Sequence, residues 1–598
     1  GGDYNTAVGY EALMTEDADG LNTAIGARAL KVLNVGADGY NTAVGYVAGQ
    51  NLADGLRNVF VGAAAASAAT TTDDSVVIGA YAAGGAVLTG HDSVVVGAYA
   101  GYSMAAAGAA VVIGKEAGKF LSTANYNVFI GYQAGLGRTG APITGDDNVA
   151  IGMAAGLSLE GAAIGNTLIG THAGDAITTG DRNVAVGLGA LNSETTGNRA
   201  VAIGYSALAV QNKAAESHNT AVGYNAGGSI SNGDYNTIMG YGAMDSAQTS
   251  SYNIAIGAAS LSAASGDNNV AIGYAAGNAC TAASNVFIGT EAGLSNTSGN
   301  ENVIIGSGAG QFVSTGDDCV FIGHSAGKGV TGAKLTGDNN VAVGNNAGTR
   351  LQGAVQGNTL VGTDCGQGIT TGNVNTAMGV DALRTCSTGI ENVCVGIGAG
   401  FKITDGDDNT MLGTYAGYYN GSTTGAGITT GNNNCYIGFL SYPTAVDVDN
   451  EFTLGNHNTN NLRCADTSIS ALSDERDKTN IVDVPLGLDF INALRPVSFD
   501  WNTRDGSRVG KKDFGFIAQE LKSAAAATDY VDHMRLTNDF KSWINSEATG
   551  DSNLDSGGVE IDVIEADPMK TYPVLVKAVQ ELSTALDAAL ARIATLEG

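Results

Sequence analysis

Ser473 and Lys478 are the residues in this chain whose types and spacing point to covalent chemistry, and they frame the run Ser473-Asp474-Glu475-Arg476-Asp477-Lys478. A serine hydroxyl is a poor nucleophile until a base takes its proton, and a lysine five residues on reaches it across one turn. The amine can serve only if burial brings its pKa down from about 10.4 toward neutrality. On that reading Ser473 would attack the Leu472 carbonyl with Lys478 as general base, and the chain would open between Leu472 and Ser473. A competing reading is structural: Ser473 or Asp474 caps a helix while Arg476 and Lys478 pair with Glu475 and Asp477. On the hexapeptide alone the structural reading is the simpler one.

The run separates two unlike sequences. Of 598 residues 88 are Gly, only 6 are Pro and 14% are charged, a mixture that implies periodicity. Both tryptophans (Trp501, Trp543) and Pro485, Pro496, Pro568 and Pro573 follow Ser473. Lys and Arg number 14 up to residue 462 and 14 in the 136 residues after it, so the N-terminal part is nearly free of cations. With a formal net charge of -30, a nucleic-acid partner is not expected. Cys280, Cys319, Cys365, Cys386, Cys394, Cys435 and Cys464 show no metal or redox spacing and read as small apolar fillers. His91, His172, His218, His324, His457 and His533 are equally scattered. No apolar run approaches the roughly 20 residues that span a bilayer, so membrane insertion is not expected. No signal peptide is expected from this sequence, and because Gly1 already lies inside a repeat, an N-terminal attachment region to other proteins is expected to precede it.

Before the run stands one repeated phrase, Asn-[Thr/Val]-apolar-[Ile/Val]-Gly-x-x-Ala, as in Asn5-Thr-Ala-Val-Gly9 and Asn148-Val-Ala-Ile-Gly152. Its glycines recur from Gly9 to Gly438, with a degenerate copy at Gly455, and the commonest step is 17. Above this level lies a second, since Gly97 through Gly204 reappear with the same spacings at Gly289 through Gly396, shifted by 192. Each short β-branched run bounded by Gly, Asp and Asn predicts a strand. A step of 17 leaves no room for a strand, helix, strand unit, so the expected fold is a β-solenoid of about 26 coils over residues 1–455. Asn at one coil position predicts a hydrogen-bonded ladder, and Gly and Ala predict tight corners.

Alternation puts the residues one and three before the glycine on one strand face and the residue two before it on the other, and both faces are apolar. A strand apolar on both faces must be covered on both. One face fills the coil and the other meets a neighbouring chain, so a homo-oligomer, a homotrimer above all, is expected; the alternative is a monomer roofed by its own loops. Gly-Asp-Asp and Gly-Asp-Asn loops (Gly145-Asp146-Asp147, Gly316-Asp317-Asp318, Gly337-Asp338-Asn339, Gly406-Asp407-Asp408) offer carboxylates to Ca²⁺, but tight turns demand the same residues, and no cofactor is expected. Gly306-Ser-Gly-Ala-Gly310 lacks the helix and distant acidic residue of a dinucleotide loop.

The repeats resemble the head repeats of trimeric autotransporter adhesins and related repeats of phage tail fibres. That resemblance implies trimeric β-rolls. After a polar neck, 456–472, the blocks Ser473 to Ile481, Leu486, Ile491, Leu494-Arg-Pro-Val-Ser-Phe-Asp-Trp501, Gly515-Phe-Ile-Ala-Gln-Glu520 and Tyr572 through Leu582 resemble the endosialidase-type intramolecular chaperone, a self-cleaving serine peptidase domain, over 473–598. The resemblance implies that this α+β domain trimerises and folds the fibre ahead of it and then detaches. It also makes Ser473 and Lys478 the catalytic dyad and places Asp474, Arg476 and Asn480 at supporting motif positions, whether holding the scissile loop or building the oxyanion hole. Leu575, Val579, Leu582, Leu586, Ala589, Ile593 and Leu596 step by 4 and 3 in alternation, the seam of a coiled coil over 575–596, with a buried single helix as the alternative.

Together these readings predict a virion tail fibre or tailspike, made in the host cytoplasm and displayed on the extracellular particle, that binds a host cell-surface glycan or outer-surface protein. An adhesive cell appendage and a glycan-degrading tailspike are the alternatives.

Overall fold

The computed structural model describes residues 4–597 apart from 18–19, 264–265, 419–427, 445–446, 457, 460–478, 502–508, 529–536, 545–558 and 567–571. The chain divides into two compact units, Gly1–Asp364 and Cys365–Gly598. In the first unit, three-residue strands from β1 (Thr6–Val8) to β21 (Thr359–Val361) form a parallel β-solenoid. Each strand ends on the residue before a repeat glycine, and successive strands pair without slip: Thr220 opposes Thr237, which opposes Ile254.

One coil shows why stacking, not local propensity, makes this fold. The Thr237 N–H donates to the Asn253 carbonyl in the following coil at 2.8 Å, whereas the Gly240 N–H donates to the Val222 carbonyl of the preceding one at 2.9 Å. Backbone donors alternate between the two neighbours, so a lone coil would leave most of them unsatisfied. The corners follow from the same demand. Tyr235 holds φ at +55°, which aims its N–H at the Ser217 carbonyl, 2.9 Å away in the preceding coil. A non-glycine residue there costs about 1–2 kcal/mol of backbone strain, which the inter-coil bond offsets. Gly257 has no such latitude. Its φ is +130°, and a Cβ would stand 2.3 Å from the Gly273 carbonyl oxygen.

The structure decides which strand face is internal. From β2 to β21 the middle residue of each strand is buried, and Ala221, Ile238, Ala255 and Phe287 are wholly so. Its neighbours point out, leaving Met239 48% and Ile254 37% exposed. Apolar side chains therefore line the outside of the strand face in coil after coil.

Asparagine forms the expected ladder inside. Asn236 accepts at Oδ1 from the Asn253 backbone N–H (3.0 Å) and Nδ2 (3.2 Å), while its own Nδ2 donates to Asn219 Oδ1 (3.1 Å) and the Ser250 carbonyl (2.8 Å). Every hydrogen-bonding atom of a buried amide is thus used. Ala200 breaks the ladder, and the gap is filled from the side. Asn219 Nδ2 donates to Gln211 Oε1 at 2.8 Å, and Gln211 Nε2 donates to Ser217 Oγ at 3.1 Å and to the wholly buried Glu194 at 3.2 Å. Glu194 accepts in turn from the Gly197 N–H at 2.7 Å and the Lys213 N–H at 3.2 Å. Asn236→Ala has no such replacement and takes away the acceptor of the buried Asn253 backbone N–H. It is expected to cost about 3 kcal/mol, seen as a lower midpoint in chemical unfolding.

The Gly-Asp-Asp turns have a structural use of the same kind. Asp146, Asp317 and Asp407 each accept, through Oδ1, a backbone N–H of the preceding coil, from Asn125 (2.7 Å), Asn300 (2.7 Å) and Ile390 (2.8 Å). The second acidic residue, Asp147, Asp318 or Asp408, takes the left-handed conformation. Burial pushes the Cys280 thiol up to about 11 and the Cys386 thiol up to about 12, as befits fillers of the coil interior.

The second unit carries the strands β22 (Thr376–Met378) to β26 (Phe452–Leu454) of the same parallel type, then a different set of elements. These are α1 (Leu488–Ala493), β27 (Val497–Asp500), β28 (Lys512–Gly515), α2 (Ala518–Ala526), β29 (Thr537–Ile544), β30 (Val559–Ala566) and α3 (Tyr572–Glu597). β27 pairs antiparallel with β28, and β29 with β30. Among the described residues no helix is long and apolar enough to cross a membrane.

Candidate functional site

Leu472, Ser473, Asp474, Arg476 and Lys478 lie outside the described residues. Asn480, the sixth residue singled out by sequence, is exposed and holds φ at +55°, a left-handed conformation that asparagine tolerates. What the structure describes is the frame that follows them.

That frame is assembled from the spaced sequence blocks. Phe490 on α1, Leu521 and Ala525 on α2 and Val574 on α3 are buried against one another, with Leu486, Ile491, Leu494 and Phe516 packed around them. α1 stops where it does because Pro496 cannot continue a helix and disfavours helical backbone at Arg495. Leu494 is already extended, with ψ 138°, and β27 starts directly after the proline. Arg495 turns back to α2 and grips Glu520 with both arms of the guanidinium, Nε to Oε2 at 3.0 Å and Nη2 to Oε1. The guanidinium holds the Glu520 carboxyl below the usual carboxylate range. On the β27 side, Phe499 and Trp501 meet edge to face, with ring centroids 5.1 Å apart, and Trp501 Nε1 donates to Asp513 on β28 at 3.2 Å.

One tie in this frame escapes any reading of spacing. The Leu488 N–H, at the start of α1, donates to Glu581 Oε2 on α3 at 2.8 Å, across 93 residues of sequence. A Cβ on Gly487 would stand 2.2 Å from that oxygen, so the glycine makes room for the carboxylate. Glycine before a helix and glutamate within another are both commonplace, and nothing in the sequence links them.

α3 has two faces. Val574 and Ala578 are buried against the frame, whereas Leu575, Val579, Leu582, Leu586, Ile593 and Leu596 are between 46 and 86% exposed. The residues spaced for a coiled-coil seam are thus exposed, as is all of α3 beyond Ala578, off-seam Leu590 (54%) included.

Residues 473–531 match the family described as the chaperone of endosialidase. The match opens on Ser473 and takes in α1, β27, β28 and α2, the elements that build the frame. This family is a self-cleaving chaperone domain. No curated protein and no solved structure matches the chain.

Proposed function

We propose that this protein is a homotrimeric virion tail fibre or tailspike that attaches to a host surface, and that residues 473–598 fold it and then cut themselves off between Leu472 and Ser473. The observation that carries this reading is the chaperone-of-endosialidase match beginning at Ser473, later in the same chain than a β-solenoid whose last strand ends at Leu454. In the cleavage, Ser473 Oγ adds to the Leu472 carbonyl carbon as Lys478 takes the hydroxyl proton. The Leu472–Ser473 C–N bond breaks, its nitrogen receives the proton from Lys478, and the ester so formed is hydrolysed by water. Each chain does this once, which makes it maturation, not turnover.

Two surfaces support assembly with copies of the same chain. Outward residues such as Ile25, Ile78, Ile203, Met239 and Ile272 repeat one apolar position along the first unit. A surface with that period is covered most completely by a partner with the same period. The uncovered face of α3 supplies a second, short surface of coiled-coil spacing. Before cleavage, sedimentation equilibrium is expected to give three times the 59.9 kDa chain mass, and a monomer would overturn the assignment. A glycan-release assay separates the attachment reading from that of a depolymerase, in which the same fibre cleaves the glycan it holds.

A further inference from the structure

The string Thr-Gly-Ala occurs three times in the chain, at 139–141, 331–333 and 424–426, each time followed two residues on by Ile or Leu and then Thr. Each copy lies where the glycine step lengthens, from Gly131 to Gly152, Gly323 to Gly344 and Gly413 to Gly438. The third copy lies outside the described residues; the first two form the same excursion. Arg138 pairs with Ala141 and Val330 with Ala333 across a tight antiparallel turn, closed by N–H to carbonyl bonds of 3.3 and 3.1 Å. Ile143 and Leu335 root the excursions in the core, while Thr139-Gly140 and Thr331-Gly332 stand exposed at the tips.

The tip glycines lack an internal reason. At the base, Gly137 and Gly329 have φ of +77° and +79° and lie against Phe120 and Phe312, so the fold requires them. Gly140 and Gly332 hold no left-handed φ, and a Cβ on either would meet nothing within 4 Å. A turn of this size needs glycine only where φ is positive. Bare backbone at an exposed tip instead permits close approach from outside.

Charge points the same way. Of the 14 cations up to residue 462, eight pair with carboxylates. Lys115, Arg182, Lys328, Lys334, Arg350 and Lys402 make no ion pair among the described residues. Of these, Lys115, Lys328, Lys334 and Arg350 belong to a coil that carries one of the two described excursions or to one beside it. Lys334 is on the second excursion itself, Lys328 precedes its base glycine Gly329, and the Gly329 N–H donates at 3.1 Å to the carbonyl of Thr349, the residue before Arg350 in the next coil. In a chain of net charge -30, cations left without acids of their own are complementary to an external acid.

Building on the attachment reading above, we propose that the Thr-Gly tips and their neighbouring cations are the contact sites for an anionic surface polysaccharide. The protein should be retained on immobilised alginate or on a ribitol-phosphate teichoic acid, and the stronger of the two identifies carboxylate or phosphate as the recognised group; dextran should not retain it. Overall repulsion from a net-negative chain works against nonspecific retention. Lys334→Glu with Arg350→Glu should lower retention at least tenfold, Gly332→Leu should do so with an unchanged Tm, and Arg182→Glu should have no effect. Equal retention on dextran, retention on none of the polymers, or a Gly332→Leu variant that binds like wild type would overturn the proposal. If wild type and Gly332→Leu adsorb alike to whole bacterial cells, attachment stands and this site does not.

Discussion

Freshly expressed protein should run on a denaturing gel as a chain shortened by 126 of its 598 residues, whereas Ser473→Ala and Lys478→Ala should each run at full length. The expected effect is all or none because in the proposed reaction nucleophile and base act as one unit. Removing either member of such a pair typically costs several orders of magnitude in rate. A reaction that each chain performs once has no turnover to make up the loss. Ser473→Cys keeps a nucleophile at the same atom and should restore cleavage at a slower rate, which a merely structural serine would not do. Mass spectrometry of the released fragment should find serine at its N-terminus. If wild type and both alanine variants migrate alike, the pairing of Ser473 with Lys478 is wrong and Ser473 is a helix cap after all.

Much of the fold was legible because the solenoid states its own rules many times over. The apolar residue before each repeat glycine located every strand from β1 to β26, and the repeated Asn announced a ladder of the kind found from Asn219 to Asn253. Two things were not legible, for physical reasons. Both strand faces are apolar, so composition could not say that Ile238 goes inside while Met239 stays out. That is decided by corner geometry, which turns on backbone conformations such as those at Tyr235 and Gly257. The repair at Ala200 was also hidden, because Glu194 and Gln211 sit at a corner position that other coils give to residues such as Ile177 and Ile230. Only the hydrogen bonds reveal why a carboxylate is tolerated there. In the C-terminal region the quoted blocks fall on one cluster around Phe490 and Leu521, but the tie from Glu581 to Leu488 is long-range and has no local signature. Of the predicted site residues, Asn480 alone is described.

The second large effect is expected from the exposed face of α3. Leu582→Asp together with Leu586→Asp should abolish soluble trimer and leave the repeats aggregated, although neither residue supports the domain to which it belongs. Both side chains are more than half exposed, whereas Val574 and Ala578 hold α3 to α1 and α2, so the substitutions leave that packing intact. Burying a leucine against a partner stabilises by about 2 kcal/mol, and a three-stranded seam would lose that at two positions in each chain. The larger consequence is kinetic. Parallel strands such as β13 (Thr220–Val222) and β14 (Thr237–Met239) pair across 17 residues, and in the proposed trimer their outward face is covered only when the chains come together in the same register. Finding that register without a nucleus is slow and exposes apolar edges to aggregation. A short seam that first brings the C-terminal ends of the chains together turns the search into a local one. Ser473→Ala, which keeps the seam attached, should therefore give soluble trimer at wild-type yield, while the double aspartate variant should not. Normal recovery of trimer from the aspartate variant would show that the outward face of the solenoid finds its register without help from α3.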